Sequence, residues 1–423
     1  METELFLRAA ERFADFHLRF ARYFGNAIGR VRSAQYLVGL FLEADRRNIE
    51  NLTDVVEHVS AHSLQRFITH ASWSWEPVVE ELQRFYGERL SAPDGVFILD
   101  ETGFGKQGTA SVGVARQYSG TLGKVGNCQL GVFLAYASSR GFALIDGRLY
   151  LPKEWTEDPA RCEAAGIPAA QRAYRAKTEL GFAQLRAARR LGALTGHWVT
   201  GDEAYGESPV FRDELNTDGY WYVLEMPSIT PFFATRVPTT IPPGSGRGRT
   251  PSKPRLAPGA SPAQEVRAFA ATVPDTAWES YTVALGEQGP RTYDFYACRG
   301  WESRDGLPGR ATWLLLRRNL DKSELKYYFS NAPASTSPRK LARVGAMRWC
   351  IETGFTQSKT EGGLDEYEVR TWRGWYHHIT LVLVAMAFLL LLTQEWGEKG
   401  ARPHPAPGAL AGRLDLSPSR LES

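Results

Sequence analysis

The chain has 423 residues, long enough for two or three domains or for one catalytic domain carrying large additions, and at 43% hydrophobic and 23% charged its composition argues against a wholly disordered or fibrous protein. Its formal net charge of +3 is too small for total charge alone to single out nucleic acid as a partner. Cys128, Cys162, Cys298 and Cys350 are widely spaced with no CxxC pair, which argues against a zinc site or disulfide framework, and the opening METELFLRAAERF lacks the basic start and apolar run of a secretion signal, so a cytoplasmic protein is expected.

Residues 1 to 92 are predicted to form an N-terminal helical domain, because Phe6, Phe13, Phe16, Phe20 and Phe24 roughly follow a helical period, as a core-facing stripe does. Arg19, Arg22, Arg30, Arg32, Arg46 and Arg47 around it suit either DNA phosphate or a solvated face. A further helix is expected after Ser74, with Pro77 in its first turn. From residue 94 the texture changes to strands: VFILD at 96–100, SVGVARQYS at 111–119 and NCQLGVFLAYAS at 127–138. A helix is expected over 168–191, a strand in HWVTGD at 197–202, a helix near 208–216 and a strand in YWYVLEM at 220–226. Three strands, helix, strand, helix, strand is an α/β order, and it is that of an RNase H-like core whose first part spans 93–227.

The stretch 228–264 is rich in Pro, Gly, Ser and Arg and reads as a mobile loop with little apolar surface to bury. Its Arg247, Arg249, Lys253 and Arg255 are candidates for sequence-independent phosphate contacts. Strand-like runs then resume, so 228–335 is expected to be a β-rich insertion, 336–398 the C-terminal helices of the core, and 399–423 a flexible tail. The apolar run Ile379 to Leu392 falls short of the about 20 residues a membrane span needs and reads as a buried core helix.

Two aspartates stand out. Asp100 closes VFILD and precedes the glycine-rich ETGFGKQG; Asp202 closes HWVTGD and precedes EAYG. In open α/β sheets sites assemble at the carboxyl ends of strands, although an Asp there also commonly caps a helix or closes a turn. A third acid is expected in AMRWCIETGFTQSKTEGG, where about 100° per residue puts Arg348, Glu352 and Lys359 on one face of a continuous helix. A carboxylate between two cations suits a metal with phosphate nearby, and equally an ordinary surface ion pair. Glu361 points away from that face, and Glu366 returns to it only if the helix runs through Gly362 and Gly363. His377 and His378 adjoin each other without further ligands at metal spacing and read as structural or DNA-facing.

The spacing Arg348, three residues, Glu352, six residues, Lys359 resembles the tyrosine-arginine-glutamate-lysine signature of bacterial insertion-sequence DDE transposases. LDETGFGKQG, SVGVARQYSGTLGKVGNCQLGV, VTGDEAYG and RTWRGWYHHITL also resemble stretches of one such family, the DDE superfamily endonucleases, over residues 20 to 395. One departure is plain: the signature tyrosine falls at Gly345, which puts its DNA contact in doubt.

The resemblance implies a DNA transposase that cuts and joins mobile-element ends. Asp100, Asp202 and Glu352 would hold two Mg²⁺ or Mn²⁺ ions, and Arg348 and Lys359 would position phosphate. It implies terminal repeats and target DNA as partners, a homodimer or larger synaptic complex, and no membrane. An all-carboxylate set agrees with a hard divalent cation and in-line phosphodiester chemistry. The rival expectations are a metal-dependent nuclease without strand transfer and a domesticated DNA-binding protein. A paired-carboxylate glycosidase fits less well, because Arg348 and Lys359 suit phosphate better than sugar.

Overall fold

The computed structural model describes residues 2–42, 46–243, 252–286 and 289–397. Arg247, Arg249 and the tail 399–423 lie outside the described residues.

Five helices open the chain: α1 (Glu2–Ala21), α2 (Ala27–Phe41), α3 (Ile49–Val55), α4 (Ala61–Thr69) and α5 (Trp75–Leu90). Strands β1 (Val96–Gly105), β2 (Ala115–Ser119), β3 (Lys124–Ser138) and β4 (Gly141–Leu149) follow, then helices α6 (Lys153–Thr156), α7 (Pro159–Ala164) and α8 (Lys177–Leu191). Next come β5 (Trp198–Gly201), α9 (Glu203–Gly206), α10 (Pro209–Thr217) and β6 (Trp221–Met226). Short elements β7 (Pro231–Phe233), β8 (Thr239–Thr240), β9 (Arg255–Leu256), β10 (Gln264–Glu265) and α11 (Val266–Ala270) lead to β11 (Glu279–Gly286), β12 (Gly289–Arg304), β13 (Leu307–Arg318) and β14 (Leu325–Ser330). Helices α12 (Pro338–Ala346), α13 (Trp349–Gly362) and α14 (Trp372–Gly397) end the described chain.

The chain divides into two compact units. Unit 1 comprises Met1–Gly95, Asp100–Gly196 and Cys350–Ser423; unit 2 comprises Val96–Leu99 and His197–Trp349. Unit 1 packs its helices on α14. Phe13 and Phe16 of the α1 stripe meet Phe388 of α14 with ring centroids 5.4 and 5.3 Å apart, and Phe20 and Phe24 are also buried. Asn26 and Ser60 cap α2 and α4 by accepting the N–H groups of Gly29 and Ser63, donors a helix start otherwise leaves unpaired. Trp372–Glu395 is longer than the 14-residue apolar run and long enough to cross a membrane by length and composition, yet 78% of its most apolar window is buried inside the protein.

Unit 1 corrects the strand count. GFALIDGRL forms β4, antiparallel to β3, where no strand was expected. Its Asp146 disguised it: the carboxylate is 1% exposed and tolerated there because Arg148 on the same strand pairs with it at 3.1 Å. The helix expected over 168–191 begins only at Lys177. Ala176 is extended, and its N–H is taken by the Glu179 carboxylate, a capping contact that fixes the start.

In unit 2 the strand order is β10-β7-β12-β13-β14-β6-β5, with Val96–Leu99 of β1 beyond β5 and β11 paired to β12. β5 is parallel to both β6 and β1, and the other pairings are antiparallel. Parallel neighbours require a crossover, which α9 and α10 supply between β5 and β6. In unit 1, β3 neighbours β1 and carries β4 on its other side. Each unit taken by itself fits the mixed α/β, RNase H-like arrangement the sequence implied, with β4 and β3 beside β1 in unit 1, β1, β5 and β6 in unit 2, and β2 as an added strand. The 228–264 stretch is not structureless in its described part: β7 pairs with β12, and Phe232 and Phe233 are 0% and 3% exposed.

Candidate active site

β1 does not end at Asp100. It continues to Gly105 because ETGFG stays extended: Phe104 is fully buried, and Gly103 lies so close to Ser119 that an added Cβ would sit 2.0 Å from its Oγ. Asp100 is therefore a buried mid-strand residue, 8% exposed, and its Oδ1 accepts the Glu101 N–H at 2.8 Å. What ends there is the pairing with β5. The last registered pair is Leu99 with Gly201, the residues immediately preceding Asp100 and Asp202 in the chain.

Asp202 is the N-cap of α9, and its Oδ1 accepts the Ala204 N–H at 3.0 Å. The capping role weighed from the sequence is thus real. It does not exclude a second role, since a carboxylate has two oxygens and several acceptor positions.

The third motif is broken where a continuous helix was expected. Helix α12 ends at Ala346, Met347 and Arg348 form a turn, and α13 starts at Trp349, so Arg348 is not on the Glu352 helix. In unit 2 the Arg348 Nε lies 3.8 Å from the buried Glu225 carboxylate, which also receives the Lys326 ammonium at 2.5 Å. In unit 1, Glu352 is exposed in the first turn of α13, and Lys359 follows seven residues later, within about 20° of its phase. Burial pushes the Lys359 ammonium below the ordinary lysine range, opposed by Asp365. Gly363, with φ of +62°, ends the helix; there an added Cβ would meet the Arg47 Cβ at 2.6 Å. Glu366 lies beyond that break, and its carboxylate accepts the Arg47 N–H at 2.5 Å.

Gly345 has a packing reason. A Cβ there would lie 3.1 Å from Val223, so a tyrosine would have to displace β6. Among other sequence-flagged groups, Lys253 and Arg255 are exposed, and Arg255 belongs to the β8–β9 pair. His377 is buried against Trp73, ring centroids 3.6 Å apart, with its nitrogens 2.8 and 3.0 Å from the Ile68 and Trp73 carbonyls. His378 is buried on the Tyr36 hydroxyl at 2.8 Å. Both are structural.

Lys106 escaped the sequence reading. Its ammonium donates to the Tyr367 carbonyl at 3.0 Å and sits 3.6 Å from the Tyr367 ring centroid. Burial lowers its pKa to about 8, opposed by Asp365 and Glu368 and assisted by Arg46. The available signal was a lone lysine in the glycine-flanked GFGKQG. Within either unit, no three His, Cys, Asp or Glu side chains of the described residues form a metal-sized group.

A profile of the DDE superfamily endonuclease family matches residues 19–290. No curated protein matches the sequence. Among solved structures, the chain is similar to a piggyBac transposase in a synaptic complex with hairpin DNA, at 10% identity and a TM-score of 0.46, covering 99% of this chain and 81% of the other. It is also similar to the NurA nuclease of Sulfolobus solfataricus, at 9% identity and a TM-score of 0.24, covering 78% and 94%.

Proposed function

The chain belongs to the DDE superfamily endonuclease family, and from that premise we propose that it is a DNA transposase that cuts mobile-element ends and joins them to a target. The observation that supports this best is the β1–β5 register: Asp100 and Asp202 each follow the last pair of two parallel strands, inside the matched stretch. Asp100, Asp202 and Glu352 would hold two Mg²⁺ or Mn²⁺ ions. The donors fit such ions, being carboxylates without thiolate or imidazole. The amides of Glu101 and Ala204 orient the two aspartates. When bound, the ions supply charge stabilisation for the attacking and leaving oxygens of the phosphodiester. Lys359 and Arg348 would hold phosphate, Arg348 in competition with Glu225. The DNA partners are the element's terminal repeats and its target, and a dimer or larger assembly would hold two ends.

Single-turnover cleavage and strand transfer on element-end DNA test the reading. Chelation is expected to abolish cutting while sparing much of the binding. Glu352→Gln is expected to lose both cutting and joining, and Glu361→Gln to keep most activity. Cutting without joining leaves a nuclease, binding without metal-dependent cutting leaves a DNA-binding protein, and an active Glu352→Gln beside a dead Glu361→Gln reassigns the third acid.

A further inference from the structure

Helix α12 buries one face in unit 2. Leu341, Ala342, Val344 and Gly345 are buried, and Gly345 packs on Val223 of β6. Arg339, Lys340 and Arg343 occupy other positions. Arg339 and Arg343 are four residues apart, Lys340 and Arg343 three, so they neighbour one another on the helix surface. With Tyr281, Thr282 and Val283 of β11 and the capping Ser337, these three cations line a groove of about 370 Å³ within unit 2.

The lining chemistry is one-sided. Three cations and three hydroxyl groups face it with Val283 as the one aliphatic contributor, and no carboxylate is among the described lining residues. Arg339 is exposed and makes no ion pair among the described residues. The nearby Glu279 carboxylate takes the Tyr281 hydroxyl proton as a hydrogen bond. Beyond the groove, the exposed Arg291 of β12 stands opposite Ala284 of β11, its guanidinium 5.0 Å from the Trp349 ring centroid. Cations with little apolar surface suit a polyanion rather than an apolar partner, and their run along a helix suits one whose charges repeat.

We propose that the α12–β11 groove of unit 2 is a sequence-independent seat for a DNA phosphate backbone, with Arg339, Lys340 and Arg343 as its contacts. This rests on the DNA-processing reading above but not on its chemistry, so binding and cleavage separate the two. The seat holds DNA without reading sequence, because its cations address phosphate oxygens.

The test is equilibrium binding of the full chain to a random-sequence duplex in chelator, titrated across salt. Each lost phosphate contact reduces the slope of log affinity against log salt by about 0.9, so Arg339→Gln should reduce it by about that amount and the triple glutamine variant by nearly three times as much. Between about 50 and 200 mM salt this is roughly a threefold change per contact. Arg339→Lys keeps the charge and should restore the slope. Because Lys340 and Arg343 are half-buried, the exposed Arg339 variants keep the test valid if the triple variant misfolds. A wild-type slope in Arg339→Gln and in a folded triple variant overturns the groove's role with DNA and leaves it for an acidic polypeptide. A wild type that binds no duplex overturns the proposed function and this seat with it, whereas binding without cleavage leaves the seat standing.

Discussion

Around α14, unit 1 buries rings and uncharged imidazoles: His17, His377 and His378 are each about 1% exposed or less, packed among phenylalanines, Trp73 and Tyr36. Unit 2 buries a network of charges in its sheet. Its Glu302, 1% exposed, accepts from Arg212 at 3.1 Å, from Arg304 at 2.9 Å and from the Tyr222 hydroxyl at 3.2 Å. Within its strands unit 1 buries Asp146, whose partner Arg148 lies two residues along the same strand, whereas Arg212 is 90 residues from Glu302; the helical part of unit 1 also buries Glu81, 5% exposed, on Arg19 62 residues away. A local partner can form early and cheaply; a distant one makes the strand's burial conditional on the finished sheet. The two units should therefore fail under different insults.

The largest effect is expected in unit 2. Glu302→Gln leaves the Arg212 guanidinium, 4% exposed, without its counter-charge, and breaking such a buried pair costs about 3–5 kcal/mol. Replacing both partners, as Arg212→Met with Glu302→Leu, should recover much of that loss, with Arg304 still paired to Asp213 at 3.1 Å. Amide exchange on β12 and β13, with α14 as the internal reference, reads it by unit. Equal acceleration in α14 would mean the two cores are not energetically separate.

The same contrast explains what the sequence disclosed. The α1 stripe was legible because a period repeats within a few residues, and Asp202 at its strand end because strand and turn are adjacent in the chain. β4 was not, because Asp146 and Gly147 interrupt its apolar run and are accommodated only by Arg148 and the close Phe133 ring, 2.7 Å from a Cβ at Gly147. The continuation of β1 past Asp100 depended likewise on Ser119, and the break before Trp349 was invisible to a helical count that had no cap to stop it. Glu225 in YWYVLEM looked like a strand residue without consequence, since its partner Lys326 lies 101 residues on.

Unit 1 should instead respond to acid. Burial lowers the pKa of His17 and His377 to about 4 and that of His378 to about 3, although the carbonyls facing His377 oppose the shift. Their folded values lie below the unfolded value of about 6.5, so the unfolded chain binds more protons and the stability they contribute, full above about pH 6.5, falls as pH drops towards 4. At pH 5 each such histidine costs up to roughly 2 kcal/mol. His378→Gln should flatten the pH dependence of α14 amide exchange between pH 7 and 5 while leaving β12 and β13 unmoved. An unchanged α14 profile would mean that these imidazoles are not the groups being protonated.

The smallest effect concerns two basic surfaces of unit 2. Lys253 and Arg255 are exposed and make no ion pair among the described residues; Arg255 sits on the two-residue β8–β9 ladder. The groove cations stand on a nine-residue helix with a buried face. A cation on a short ladder must be ordered when it meets phosphate, whereas one on a packed helix is already placed, and ordering such a side chain costs about 0.5–1.5 kcal/mol. Equal charge should therefore yield unequal affinity. Lys253→Gln with Arg255→Gln is expected to weaken random-duplex binding by about threefold at moderate salt, less per cation than the groove variant, while still lowering the salt slope. An unchanged slope would make that stretch only a connection between strands. A loss per cation larger than the groove's would show that ordering cost does not rank the two surfaces, and that DNA reaches the ladder before it reaches the helix.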